Sequence, residues 1–213
     1  MKIALIGATG FVGSALLAEL LSRGHHVTAL ARNPEKFHTQ DRLTVANADV
    51  LQSAEVASAV RGHDAVISAY NPGWQEADIY KLFLRGTRAI LDGVKQAGVK
   101  RLLIVGGAGS LYVAPGVQLV DTAEFPAEYK QGALAARDAL NLIRDEADLE
   151  WSFISPPARL APGERSGKFR VGGDQLLMDG DHPAGISVAD LAVAIVDEIE
   201  QRKRLQQRFT VAS

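Results

Sequence analysis

The sequence predicts a doubly wound parallel α/β sheet folded as a single domain over residues 1–213. Three observations predict it. Short β-prone runs alternate repeatedly with helical patterns along the chain. Several of those runs, such as Ala65-Val66-Ile67-Ser68-Ala69 and Leu102-Leu103-Ile104-Val105, are almost wholly apolar, the pattern of strands covered by helices on both faces. The first run, Ile3-Ala4-Leu5-Ile6, passes directly into Gly7-Ala8-Thr9-Gly10-Phe11-Val12-Gly13 and then into a helical pattern.

That turn carries the functional signal. Glycine at its first position permits a sharp bend, at its second lets a pyrophosphate approach the backbone, and at its third lets helix and strand pack closely. The free N–H groups and positive end of the helix then face the anion. Glycine-rich turns that bind nothing are common, but strand, turn and helix in this order favour a dinucleotide. Gly7, Thr9, Gly10, Phe11, Val12 and Gly13 are thus the first candidate cofactor contacts.

Composition excludes several classes. Apolar residues at 47% and charged residues at 23% describe a globular chain able to bury a core. A net charge of −2, with no basic block beyond Arg202-Lys203-Arg204 at a helix end, gives no case for nucleic acid or an anionic membrane. The absence of cysteine removes disulfides, thiolate metal sites and cysteine nucleophiles, and the five histidines lack metal-ligand spacing, so no metal is expected. The apolar run at the N-terminus is too short for a secretory segment of about 7–15 residues, and no run reaches the ~18 residues that span a bilayer. A cytoplasmic protein, monomeric or homodimeric, is the expectation.

The elements follow in order. Val12, Leu16, Leu17, Leu20 and Leu21 recur at helical spacing, with Gly24 as the stop. His26 to Ala31 is the second strand, and Arg32 stands at its end, where about 20 residues past the glycines an acid would bind ribose hydroxyls and an arginine a 2′-phosphate. Arg32 therefore argues for NADP against the alternative of a plain surface arginine. Leu43 to Ala48 is the third strand. Asp49 after it has two equal readings, a hydrogen bond to adenine with Val50 against the ring, or a cap for the turn before the helix around Ala54 to Val60. Asp64 to Ala69 is a buried central strand broken by Tyr70-Asn71-Pro72-Gly73-Trp74, which puts Ala69 and Tyr70 at a ligand-binding carboxyl end.

A helix over Ile79 to Ala97 is ended by Gly98, and Arg101 to Val105 leads to the second candidate loop, Gly106-Gly107-Ala108-Gly109-Ser110. Ser110 is read either as a hydrogen-bond donor beside the nicotinamide or as an ordinary turn serine. A small-residue helix over 127–147 follows, then a strand from Leu149 to Ser155 stopped by Pro156-Pro157. The glycine-rich stretch 158–185 is the expected lid or substrate-side segment. Ser187-Val188-Ala189-Asp190 resembles a capping box ahead of the last helix, and Arg208-Phe209-Thr210-Val211 a final strand.

On these residues the chain resembles the short-chain dehydrogenase/reductase superfamily in its extended and atypical branches, whose glycine pattern GxxGxxG is matched by Gly7, Gly10 and Gly13. It is most similar to small NAD(P)H-binding proteins related to NmrA and biliverdin reductase B, the group called NADH-flavin reductases. The turn Gly7-Ala8-Thr9-Gly10, Ala31-Arg32-Asn33-Pro34, Asp49-Val50, Gly106 to Ser110 and Ile186 to Leu191 carry the likeness along essentially the whole chain. The resemblance implies an NADP-binding Rossmann core with the nicotinamide near Ser110 and Pro156.

One departure bears on mechanism. Classical members carry Tyr-x-x-x-Lys, the tyrosine as general acid and the lysine lowering its pKa; here Tyr129 is followed four places on by Ala133, and Lys130 points about 100° away around the helix. Without that lysine, carbonyl reduction loses its acid–base relay, whereas flavins and quinones accept hydride and take a proton from water. The expectation is an NADPH-dependent reductase of a flat small-molecule acceptor, with Ser110 and Tyr129 as candidate catalytic residues and Tyr70, Trp74, Tyr112 and Phe169 as apolar walls. The alternatives are a non-catalytic NADP sensor of NmrA type and, behind both, a sugar-nucleotide epimerase or dehydratase.

Overall fold

The computed structural model describes residues 1–213 apart from Thr39 and the side chain of Lys36. In chain order its first half comprises β1 (Lys2–Ile6), α1 (Phe11–Ser22), β2 (His26–Ala31), β3 (Leu43–Asn47), α2 (Ser53–Val60), β4 (Ala65–Ser68), α3 (Ile79–Ala97) and β5 (Arg101–Val105). The second half comprises β6 (Tyr112–Ala114), β7 (Val117–Gln118), α4 (Ala127–Arg144), β8 (Glu150–Ser155), β9 (Arg159–Ala161), β10 (Arg170–Gly172), β11 (Met178–Asp179), β12 (His182–Pro183), β13 (Gly185–Ser187), α5 (Val188–Gln201) and β14 (Gln207–Ala212). Eight strands form one sheet in the order β10-β14-β8-β5-β4-β1-β2-β3, parallel throughout except for the edge pair β10–β14.

Alternation along each strand sorts the core into two layers. Ile3 and Leu5 of β1 face α1 and α5 with Leu16, Leu20, Leu191 and Ile195, while Ala4 and Ile6 face α2, α3 and α4 with Val56, Ile90 and Leu140. Both faces of β1, β4 and β5 are therefore apolar and covered, which is why these strands read as unbroken hydrophobic runs. The helix ends follow local rules: Gly98 closes α3 in the left-handed conformation at φ 75°, and the Ser187 hydroxyl accepts the Asp190 N–H at 3.0 Å to start α5. Among the described residues no helix is long and apolar enough to cross a membrane.

The segment 158–185 is built into the edge of the sheet. Its short strands β9 and β10 pair with β13 and β14. Its middle is tied to the helices, since Arg165 makes two 2.8 Å contacts with the Glu19 carboxylate of α1 while Ser166 and Gly167 donate to Asp190 of α5 at 2.6 and 2.7 Å. At the opposite, amino-terminal end of the strands Arg101 and Glu198 form a buried ion pair at 2.9 Å, joined by Ser152.

Candidate functional site

Strand order reverses between β1 and β4: the chain fills β1, β2 and β3 on one side, then crosses to β4 and β5 on the other. The connections after β1 and β4 lead to helices on opposite faces of the sheet at this point, and open parallel sheets bind ligands there. The loops after β2, β3, β5 and β8 reach the same carboxyl edge.

The three glycines of the first loop serve different ends. Gly7 has φ 82°, and a Cβ on it would lie 2.5 Å from the Ala69 carbonyl oxygen, so the turn and the loop after β4 are in backbone contact. A Cβ on Gly13 would lie 1.9 Å from the Gly7 carbonyl oxygen, which fixes how closely α1 approaches β1. Gly10 is under neither constraint: it is extended at φ −80° and ψ 172°, and its Cβ would sit 3.3 Å from the Gly7 oxygen. It is the N-cap of α1, and no side chain caps the helix. Its own N–H donates to Gly7 at 3.0 Å and its carbonyl accepts from Ser14 at 2.9 Å. Thr9, Gly10 and Phe11 are exposed there and Val12 half-buried, around the first-turn amides that a helix leaves without internal partners.

Arg32, one residue past β2, is exposed and makes no ion pair among the described residues. The Asp49 carboxylate accepts the Leu51 N–H at 3.0 Å, and the Asp49 N–H donates to Glu55 at 2.7 Å. The turn-closing reading of Asp49 is therefore realised in the fold, and Val50 packs on the α2–α3 layer. Tyr70 links these loops. Burial raises its phenol pKa, with Arg32 opposing and Asp49 adding to the rise. Its ring rests on Gly86, where a Cβ would lie 2.2 Å from Tyr70 Cε1, and its hydroxyl donates to the Leu82 carbonyl at 3.3 Å. Tyr70 thus packs into α3, behind Ala69.

The expected aromatic walls separate. Phe169 packs on the α1–α5 layer. Tyr112 pairs through its backbone with Asp174 and Leu176. Trp74 and Tyr129, 54% and 46% exposed, meet edge to face at 5.3 Å between centroids.

Ser110 and Tyr129 differ in environment, the one buried and the other half exposed. Ser110 is 1% exposed, and its Oγ accepts a hydrogen bond from Arg208 Nη1 at 3.3 Å; the same nitrogen donates to Ser155 Oγ at 3.4 Å. Arg208 Nε donates to Asp174 at 2.6 Å, and burial pulls this guanidinium below its ordinary pKa against the pull of Asp174. Arg208 is the residue that sequence reasoning missed; its signal was an arginine inside an otherwise buried strand. Gly106 has a packing role, since a Cβ on it would lie 2.1 Å from the Phe153 ring, and Pro156 is buried just beyond β8. Ala133, where the superfamily lysine stands, packs on the Ser110 loop, with its Cβ 2.9 Å from where one on Gly109 would be.

A family model described as NAD(P)H-binding matches residues 7–201, from the glycine turn to the end of α5. The chain belongs to this NAD(P)H-binding family. Three solved structures show the same fold over nearly their whole length. A "putative exported protein" from Burkholderia pseudomallei is 47% identical, with 100% of each chain covered and a TM-score of 0.90. A "putative epimerase" from Bacteroides thetaiotaomicron is 46% identical, covering 99% of this chain and 96% of its own, at 0.93. A "putative NADH-flavin reductase" from Streptococcus pneumoniae TIGR4 is 32% identical, covering 100% and 99%, at 0.86. Family and neighbours make this an oxidoreductase-like Rossmann protein that takes a nicotinamide cofactor.

Proposed function

We propose that this protein is an NADPH-dependent reductase of a flat redox acceptor. The observation that carries the proposal is the uncapped N-terminus of α1 at exposed Gly10, at the same carboxyl edge of the paired strands β1 and β2 as Arg32, which has no carboxylate paired to it among the described residues. In this reading the first-turn amides of α1 hold the pyrophosphate, with Gly7, Thr9, Phe11, Val12 and Gly13 forming the turn around it. Arg32 grips the 2′-phosphate through paired hydrogen bonds. Val50 lies against the adenine and Asp49 holds its loop. Ala69, backed by Tyr70, lines the middle of the cofactor, and Gly106 and Pro156 border the nicotinamide.

Bound NADPH supplies the hydride. The chain's contribution is position: the rigid β1 turn and the loop after β4 set one reactant against the other, which alone accounts for large rate factors. Tyr129 has Ala133 rather than a lysine four residues on and is half exposed, so no strong general acid is placed for ketone reduction. That favours an acceptor whose reduced form is protonated by water.

Steady-state NADPH oxidation with riboflavin, with a naphthoquinone and without acceptor tests the proposal. Turnover with at least one acceptor is expected. The second reading, a non-catalytic NADP sensor, is favoured by the distance in role between buried Ser110 and exposed Tyr129. Tight NADPH binding with no turnover would establish it and remove the reductase.

A further inference from the structure

We infer that Trp74 and Tyr129 form the acceptor platform of this site and that its occupant is an uncharged conjugated ring of the quinone type rather than a phosphorylated flavin; this rests on the reductase reading above. Two large aromatic side chains left about half in solvent are a departure from ordinary burial in a chain whose other tryptophan, Trp151, is 4% exposed. They are also held in place by devices that serve no visible core. Gly73, immediately before Trp74, sits at φ 123°, a conformation that side-chain-bearing residues rarely adopt. Its N–H donates to Asn71 Oδ1 at 2.8 Å and its carbonyl accepts from Glu76 at 3.1 Å, so the turn that presents Trp74 is closed on both sides.

The receiving surface on α4 is notched for the indole. A Cβ on Gly132 would lie 2.6 Å from Trp74 Cζ3 and 3.0 Å from Ile79 Cδ1, so the ring lies where any larger residue would push it away. Tyr129, one turn earlier on α4, then meets the indole at 86°. Such a right-angled pair leaves ring surface open to a third, planar partner, and stacking on it is specific to flat conjugated molecules. Ala133, next to Gly132 on α4, packs on Gly109 of the loop after β5, so the platform adjoins the loop proposed to border the nicotinamide.

Charge around the pair selects among flat molecules. The two segments that carry it expose Glu76, Asp78, Glu124 and Glu128 against Lys81 and Lys130, and Lys81 already faces Asp78 at 3.7 Å. The excess of carboxylates on these two segments disfavours the phosphate of a flavin mononucleotide and leaves a neutral quinone unaffected.

Tryptophan emission reads the platform directly, because only Trp74 of the two tryptophans is solvent-exposed. With the protein saturated in NADP⁺, titration of a 1,4-naphthoquinone should quench Trp74 saturably. Tyr129→Ala and Gly132→Ala should each weaken that binding by about tenfold, the scale of one aromatic contact, while Tyr129→Phe keeps it within about threefold. In turnover, Trp74→Leu should raise the quinone KM by about tenfold and leave the NADPH KM alone. Riboflavin should have a KM about tenfold below that of flavin mononucleotide.

An unchanged quinone KM in Trp74→Leu with the thermal midpoint preserved, or a preference for the phosphorylated flavin, would overturn the inference. So would loss of self-association as the main effect of Trp74→Leu, since the pair would then be a contact between copies. Quenching needs no turnover: binding without NADPH oxidation sinks the reductase reading alone, and oxidation that ignores Trp74 sinks this inference alone.

Discussion

The hydroxyl of Ser110 accepts a hydrogen bond from the Arg208 guanidinium at 3.3 Å in a place that is 1% exposed. The serine therefore satisfies a buried cation that also reaches Ser155 and Asp174, and its effect on stability should exceed that of a surface turn residue. Ser110→Ala leaves Arg208 short of an acceptor, which costs about 1–3 kcal/mol. Urea unfolding of the variant should show a lower midpoint at constant slope. A stability equal to that of the parent chain would mean that the contact is incidental.

The glycines of the first turn should separate in their effects. Gly10→Val has an unstrained φ and a Cβ 3.3 Å from the Gly7 oxygen, so it should fold with a small loss of stability while losing NADPH, because the branched group blocks the end of α1. Gly13→Ala should instead lose stability by several kcal/mol, since its Cβ would lie 1.9 Å from the Gly7 carbonyl oxygen and α1 must shift off β1. Circular dichroism melts and NADPH titration on both variants check the pair. NADPH binding retained in Gly10→Val would move the site elsewhere.

Arg32 should set cofactor choice. With no partner among the charged side chains described, its guanidinium is free for a phosphate, and NADPH should bind at least about tenfold more tightly than NADH, a difference of about 1.4 kcal/mol. Arg32→Ala should remove most of that preference and leave NADH affinity unchanged. Titration calorimetry decides it, and equal affinities in the parent protein would refute the assignment.

What the sequence disclosed, and what it hid, follows from the range of the interactions. The Gly98 stop, the Ser187 cap and the apolar runs of β4 and β5 are local or periodic, so each was legible within a few residues. The glycine turn was legible for the same reason. Arg208 was not: its partners Ser110 and Asp174 are 98 and 34 residues away, and only the folded sheet brings them together. In the stretch 158–185, expected as a lid or substrate-side segment, most strands were not legible because runs of two or three residues carry too little period to detect. The fastening of this stretch to Glu19 and Asp190 is likewise long-range.

The Arg101–Glu198 pair makes a prediction about stability away from the site. Both side chains are at most 3% exposed, and burial pulls Arg101 below its ordinary pKa despite Glu198. Arg101→Met would leave the buried Glu198 carboxylate with Ser152, the Arg204 N–H and the Arg204 guanidinium at 3.6 Å and should cost about 3 kcal/mol, whereas the double variant Arg101→Met/Glu198→Gln should recover a large part of that loss. Denaturant unfolding of the single and double variants measures the coupling. Additive losses would show that the two groups act independently.

Tyr129 supplies the last prediction, that hydride transfer to a flavin or quinone does not use it as a general acid. The position four residues on is Ala133, packed against Gly109, so a lysine would have no space there without moving the Ser110 loop. The Tyr129 ring is engaged edge to face with Trp74, and nothing in its first turn of α4 fixes its hydroxyl. Tyr129→Phe keeps the ring and removes only the hydroxyl, so turnover should stay within about threefold, roughly 0.6 kcal/mol in barrier. A loss of about 10²–10⁴ would be the mark of a missing acid. In that event a lysine from elsewhere in the chain must complete the relay, and carbonyl reduction would replace flavin or quinone reduction as the reaction of this site.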